Sequence, residues 1–74
     1  MKYLNGVTVH INDKVQLWES CNGIVVCSID TNEYSEEYSE ADWKNTLKRG
    51  VLILSDQAGL IHYEEADQDL TLLE

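Results

Sequence analysis

The sequence predicts a mainly β domain with one short helix, arranged as a small closed barrel of five or six strands. Short stretches in which apolar and polar residues alternate predict the strands, and Gly, Asn and Asp between them predict the turns. A helix-capping pattern at the end of the most acidic stretch predicts the helix. With 74 residues, the chain is expected to form a single domain over residues 1–74.

The first half of the chain holds three expected strands. Residues 7–11 and 15–18 alternate in the period of two that is typical of half-buried strands. Asn22 and Gly23 predict a tight hairpin turn, because both tolerate a positive φ. The apolar run 24–29 then predicts a central strand that is covered on both faces.

The acidic stretch 30–42 ends in a helix signature. Ser39 is a favourable N-cap residue, and Asp42 lies three residues later, where a capping-box carboxylate belongs. Trp43 and the leucine four residues after it would place one apolar face of the helix on the core. We therefore expect a helix over about 40–48.

The second half predicts a hairpin and a closing strand. Residues 51–54 form an apolar strand, 56–59 a turn, and 60–63 the returning strand. A second acidic segment over 64–69 precedes 70–73, which is expected to complete the sheet. Closure into a barrel would remove the open edges of so small a sheet.

The charge balance narrows the classes of partner. The chain carries 14 acidic and 5 basic residues, for a formal net charge of −9. Nucleic acids and anionic membranes bind proteins through Lys and Arg, so both are disfavoured as direct partners. A basic protein is favoured, because opposite charges speed its capture.

The location expected from the sequence is the cytoplasm. The sequence contains no apolar run with the features of a signal peptide or the length of a membrane span. Cys21 and Cys27 are then expected to be reduced thiols. Cys27 lies in an apolar run and is expected to be buried, whereas Cys21, beside the expected turn, is the more exposed of the two.

Catalysis is not expected, and neither is a cofactor. A nucleophilic cysteine needs a lowered pKa and a positioned base, whereas the burial expected for Cys27 raises its pKa. The chain also lacks the local motifs of nucleophile elbows and phosphate-binding loops.

No metal site is expected either. The two histidines and two cysteines lack the spacing of zinc ligands. A calcium loop beginning at Asp30 would need Gly and Glu where Ser35 and Ala41 stand. A weak, irregular oxygen site for a hard cation stays open as an alternative.

Two resemblances add to this interpretation. The run NDKVQLWESCNGIVVCSID resembles the opening hairpin of SH3-like modules, which implies an SH3-like barrel with a binding loop after that hairpin. In size and charge, the chain is similar to the small acidic immunity proteins encoded beside bacterial toxins. That second resemblance implies a non-catalytic, bacterial inhibitor, and it assigns no residues.

The site most strongly indicated is a surface that binds a protein. The stretch YSEEYSEADW combines carboxylates with aromatic side chains, and no local structural rule requires its first half. The second acidic segment would contribute if the two segments meet in space. The expected partner-binding residues are Glu33, Tyr34, Glu36, Glu37, Tyr38, Glu40, Glu64, Glu65 and Asp67.

Two alternatives remain open from the sequence. A phage- or plasmid-type inhibitor that mimics DNA would carry carboxylates in a continuous stripe, spaced like phosphates. A structural subunit or homodimer would have no other ligand.

Overall fold

The computed structural model describes residues 1–39 and 48–73, and its strands form one antiparallel sheet. The strands are β1 (Lys14–Trp18), β2 (Cys21–Ser28), β3 (Glu33–Tyr34), β4 (Val51–Ser55), β5 (Gly59–Tyr63) and β6 (Thr71–Leu72). Their order across the sheet is β5-β4-β2-β1-β6, and β3 pairs with the end of β2. The mainly β class predicted from the sequence is confirmed.

The sheet is open, so the expected closed barrel is wrong. β5 and β6 lie at opposite ends of the strand order, and no pairing joins them in the described part of the chain. β6 contributes only two residues and pairs with β1 alone. The helix expected over 40–48 falls on residues 40–47, which lie outside the described ranges, and on Lys48, which is not helical.

One face of the sheet packs into the core, and an N-terminal hairpin covers it. Tyr3 and Val9 belong to the buried cluster and are 3% and 0% exposed. The Tyr3 amide donates to the Val7 carbonyl at 2.9 Å, and the Val9 amide donates to the Met1 carbonyl at 2.9 Å. The core cluster comprises Tyr3, Val9, Val15, Leu17, Cys21, Val25, Val51, Ile53 and Leu70.

This hairpin replaces the strand predicted over residues 7–11. The chain reverses at residues 4–6, where Gly6 adopts a φ of 90°, and Thr8 forms an isolated bridge with Lys2. The alternation does not mark a continuous buried face here, because Val9 is buried whereas Val7, two residues earlier in the same pattern, is 46% exposed.

The turn of the first hairpin lies at Glu19 and Ser20, so the turn predicted at Asn22-Gly23 is wrong. Trp18 pairs with Cys21, and Ser20 adopts a φ of 68°. Gly23 lies within β2, where an added Cβ would stand 2.7 Å from the Leu54 carbonyl oxygen. The glycine is thus required by the close approach of β4 and not by a turn.

The second hairpin and the last strand follow the sequence prediction. Residues 51–55 and 59–63 pair in register, and β6 occupies part of the expected strand 70–73. The Ser55 hydroxyl donates to the Gly59 carbonyl and accepts the Ala58 amide, both at 2.8 Å, which closes the turn.

The face opposite the core is covered over only part of its area. Leu52 and Cys27 pair across β4 and β2 and are 3% and 0% exposed. Leu54 and Ile24, also paired, are each 43% exposed. The prediction that β2 is covered on both faces therefore holds at Cys27 and fails at Ile24. Within residues 1–39 and 48–73, no helix has the length and apolar character needed to cross a bilayer.

Candidate functional site

The acidic turn, residues 33–38, is built on the end of the central strand. Ser35 directs both its amide and its hydroxyl to the Val26 carbonyl, at 3.3 and 2.8 Å. The Tyr38 amide donates to the Ser35 carbonyl at 3.1 Å, and these two residues form a bridge. Glu36 and Glu37 are therefore left at the tip of a closed turn, and both are exposed.

Glu33 holds the base of the acidic turn in place. Its Oε1 lies 2.7 Å from Thr31 Oγ1 and 2.7 Å from His10 Nδ1. The hydrogen bond from Thr31, reinforced by His10, holds the pKa of Glu33 below its ordinary value despite partial burial. Thr31 Oγ1 also lies 2.7 Å from Ser28 Oγ, which is fully buried at the end of β2. Glu33 is thus committed to internal contacts and is less available to a partner than expected.

The two tyrosines of the acidic turn are half-buried. Tyr34 belongs to β3 and pairs with Cys27, and Tyr38 closes the turn through its backbone. Each ring therefore contributes to local packing and presents only part of its surface beside the two exposed glutamates. This places both tyrosines at the border of the candidate site and not at its centre.

The second acidic segment is organised by Arg49. Arg49 Nε lies 3.2 Å from Glu64 Oε2, and its Nη2 lies 3.6 Å from Glu65 Oε1. All three side chains are exposed, so these ion pairs contribute little to stability. They nevertheless place a positive charge beside these carboxylates, which reduces the net negative charge of the segment.

Asp67 has a structural role, because its side chain accepts hydrogen bonds from two backbone amides. Its Oδ1 accepts the amides of Asp69 and Leu70, each at 3.0 Å. A carboxylate that receives two backbone amides in this way forms an Asx turn. Asp67 thereby sets the direction of the chain into Leu70, which is 3% exposed and part of the core.

The two acidic segments meet at one depression. Asp30, from the first segment, lines it together with Glu64 and Glu65 from the second, and Arg49 lies among them. Burial alone would raise the pKa of Asp30, but its bonds to the Met1 amino group and to the Gly50 amide, with nearby positive charge, hold it below the ordinary value. Glu36 and Glu37 do not line this depression. Glu40, the remaining expected site residue, lies outside the described residues.

Both cysteines are buried free thiols, so the expectation that Cys21 is exposed is wrong. Cys21 follows the two-residue turn directly and enters the core cluster, and it is 0% exposed. Burial raises the pKa of the Cys27 thiol. Among residues 1–39 and 48–73, no three His, Cys, Asp or Glu side chains converge as a metal site would require.

Sequence reasoning missed the residue that anchors the site. Ser35 was considered only as a residue that departs from the glycine of a calcium loop, yet it supplies the contacts that fix the acidic turn to β2. The only local signal is a small hydroxyl residue directly after the tyrosine of β3, and serine is common in turns for several reasons.

Comparison of the chain with protein families, with curated proteins and with solved structures finds no match. The site is therefore interpreted from its own geometry.

Proposed function

We propose that this protein is a non-catalytic acidic binding module that blocks a basic protein partner in the manner of an immunity protein. The observation that carries the proposal is the presentation of Glu36 and Glu37 on an anchored turn. Both carboxylates are exposed, and neither forms an ion pair with another described residue. The turn that carries them is bonded to the central strand through Ser35.

An anchored turn suits recognition for an energetic reason. A mobile loop loses conformational entropy when a partner orders it, whereas a loop that is already fixed loses less. Two adjacent carboxylates of fixed position would pair with Arg or Lys side chains of a basic surface. The net charge of −9 adds long-range attraction, which raises the association rate.

The other expected contact residues contribute less directly to partner binding in this proposal. Glu33 shapes the turn through Thr31 and His10, and Asp67 shapes the approach to β6. Glu64 and Glu65 contribute less to attraction than the tip of the acidic turn, because Arg49 offsets their charge. Glu40 lies outside the described residues and stays a predicted contact residue.

The arrangement of the acids favours this proposal over a DNA mimic. A mimic would need carboxylates in one uninterrupted stripe. Among the described acids, the exposed pair at the acidic turn is separate from the depression that Asp30, Glu64 and Glu65 line, and Arg49 lies in that depression. A location in the cytoplasm belongs to the proposal and is supported by the two unpaired thiols.

The proposal is tested with two charge-reversed variants of equal net charge. The double variant Glu36→Lys, Glu37→Lys changes the tip of the acidic turn, and the control Glu64→Lys, Glu65→Lys changes the segment paired with Arg49. Each chain is immobilised on a resin and incubated with native cytosol at low salt. Bound protein is then eluted by raising the salt concentration. The association rate of the eluted protein is then measured.

We expect the eluted protein to be basic and to associate with the acidic-turn variant at least about tenfold more slowly than with the unmodified chain. The association rate should fall less for the control variant, although the net charge of the two variants is the same. Equal losses in both variants would show that bulk charge alone attracts the partner. An unchanged association rate for the acidic-turn variant would exclude this turn from the interface.

A further inference from the structure

Strand β5 forms an open edge of the sheet that lacks the usual protection. It lies at one end of the strand order and pairs with β4 over five residues without a bulge. Its sequence, GLIHY, contains no proline and no Lys, Arg, Asp or Glu. Bulges, prolines and charges are the features that keep sheet edges from pairing with another strand. The edge of β5 is therefore a place where another strand can extend this sheet.

Two residues of β5 direct their backbone groups towards the open edge. Along an antiparallel strand, alternate residues bond to opposite neighbours. The Asp56 amide donates to the Asn22 carbonyl of β2 at 2.8 Å, so position 55 of β4 faces β5. Position 55 pairs with Gly59, and every second residue from Gly59 onwards thus bonds to β4. The amides and carbonyls of Leu60 and His62 therefore point outwards, and no backbone bond among the described residues uses them.

We propose that β5 pairs with β5 of a second copy of this chain, antiparallel, about a twofold axis perpendicular to the sheet. Leu60 of each copy would lie opposite His62 of the other, and each such pair would exchange two backbone hydrogen bonds. The contact would therefore comprise four backbone bonds and would continue the sheet from one copy into the other. A register shifted by two residues would leave either Leu60 or His62 opposite a residue outside β5. One register is thus favoured, and it is symmetric, as a twofold interface requires.

The side chains of β5 also match in this register, which selects a second copy over an unrelated strand. Ile61 would lie on the twofold axis, directly opposite Ile61 of the other copy. Tyr63 would lie opposite Gly59, where an added Cβ would meet no atom within 4 Å, so this position has room for the ring. An aromatic residue across from a glycine is one of the arrangements that fix strand register. Ile61 and Tyr63 both pack against the core, so the pairing would extend the apolar face of the sheet.

Acidic residues do not meet across this contact. Glu64 and Glu65 follow β5, and in this register they would lie opposite the uncharged residues Ala58 and Gln57. Two copies that each carry −9 still repel one another over longer distances, and salt screens that repulsion. The dimer should therefore become tighter as the salt concentration rises, whereas salt weakens the binding of a basic partner. The acidic turn contains no residue of β5, so either proposal can fail without the other.

The test is sedimentation equilibrium of the full chain, from about 1 μM to about 1 mM, at low and high NaCl. We expect a reversible monomer–dimer equilibrium with a lower Kd at high salt. His62→Pro should raise the Kd at least about tenfold, because it removes two of the four bonds and leaves the pairing with β4 intact. The matched control is His62→Ala, which also loses the imidazole and its 2.9 Å contact with the Arg49 carbonyl but keeps the amide. The control should change the Kd by less than about threefold.

A second pair of variants tests the register. Directly opposite residues of a non-hydrogen-bonded pair have Cα atoms about 4.5 Å apart, a distance that a disulfide can span. Ile61→Cys should therefore crosslink two copies under a mild oxidant, whereas Leu60→Cys, which lies opposite His62, should not. The natural thiols of Cys21 and Cys27 are 0% exposed and should not react. Thermal unfolding verifies that each variant is folded.

Three outcomes would overturn the proposal. They are a chain that stays monomeric throughout, equal effects of His62→Pro and His62→Ala, and a crosslink that forms no faster in Ile61→Cys than in Leu60→Cys. Leu54→Gln separates this contact from stacking of the faces opposite the core, because Leu54 is 43% exposed on that face and lies one strand from the edge. We expect this variant to keep the dimer. A dimer that Leu54→Gln abolishes and His62→Pro preserves would also contradict pairing through β5.

Discussion

Glu33 illustrates how one residue links local chemistry to the candidate site. Its carboxylate lies 2.7 Å from both Thr31 Oγ1 and His10 Nδ1, and its pKa in the folded state is lowered from the ordinary value of 4.5. The folded state therefore binds a proton at Glu33 less readily than the unfolded state does. This contribution to stability is fully present above about pH 4.5 and is lost as the pH falls through the lower pKa of the folded state.

A pH-dependent unfolding experiment checks this contribution. We expect Glu33→Gln to lower the free energy of unfolding at pH 7, with a difference from the unmodified chain that shrinks as the pH falls below 4.5. Glu37→Gln is the control, because its carboxylate is exposed and forms no ion pair with the described residues. Urea titrations across this pH range measure both differences. A Glu33→Gln difference that stays constant with pH would contradict the assignment.

At the same scale, single residues explain where sequence reasoning succeeded and failed. The burial of Cys27 followed from its apolar neighbours, and it is confirmed. Gly23 was interpreted as a turn residue, but the Leu54 carbonyl of a strand some thirty positions away excludes any side chain there. A sequence window contains no information about such an approach. The error at Cys21 follows from the same displaced turn.

Among the elements, the acidic turn depends most on one hydrogen bond from a side chain. The Ser35 hydroxyl donates to the Val26 carbonyl at 2.8 Å, and β3 itself contributes only two residues to the sheet. So short a strand has few pairings of its own to hold it. The anchoring of Glu36 and Glu37 therefore rests largely on Ser35.

Replacing Ser35 by Ala tests this dependence. We expect local opening of the acidic turn to become easier by about 1 kcal/mol, the usual net contribution of one hydrogen bond. Hydrogen exchange at the Tyr38 amide, which is bonded to the Ser35 carbonyl, should then be about fivefold faster. Amides of β4 serve as the internal control and should exchange at unchanged rates. Equal acceleration at both places would indicate global destabilisation and not release of the turn.

The elements predicted best are those encoded by short local runs, either alternating or wholly apolar. The runs 15–18, 51–54 and 60–63 predicted strands, and all three are confirmed as β1, β4 and β5, each one residue longer than predicted. The segment 7–11 has the same alternation but pairs with the N-terminal residues outside the sheet. Alternation indicates which side chains can share one face, but it determines neither whether that face is buried, as the exposure of Val7 shows, nor which strand lies alongside.

For the whole molecule, the excess of acidic residues should oppose folding at low ionic strength. A net charge of −9 on a chain whose Cα radius of gyration is 11.1 Å concentrates repulsion in the folded state. We expect NaCl to raise the free energy of unfolding, measured at concentrations where the chain is monomeric.

A charge variant provides the control for this salt effect. The double variant Glu36→Lys, Glu37→Lys changes the net charge from −9 by +4, to −5. Its stability should depend less on salt than that of the unmodified chain. Equal slopes would show that a general effect of salt on burial, and not relief of charge repulsion, accounts for the stabilisation.

Barrel closure was the part of the architecture that the sequence predicted incorrectly. Closure depends on whether the first and last strands of the order are long enough to pair, and β6 has only two residues in the sheet. The strand expected over 70–73 was apolar enough, but Asp67 turns the chain into the core at Leu70.

Strand β2 pairs with β1 on one side and with β4 on the other, which has a consequence for the order of folding. β1 and β5 each pair with a strand that is a neighbour in sequence, whereas β2 and β4 pair across the long connection from 29 to 50. Closing that loop loses conformational entropy before the contacts between β2 and β4 can form and stabilise the sheet. We therefore expect two hairpins to form early and to meet late, along Val25 and Ile53. Lengthening the connection would slow that meeting and would lower the free energy of unfolding through the same loop-closure entropy, by about 0.6 kcal/mol for each doubling of its length.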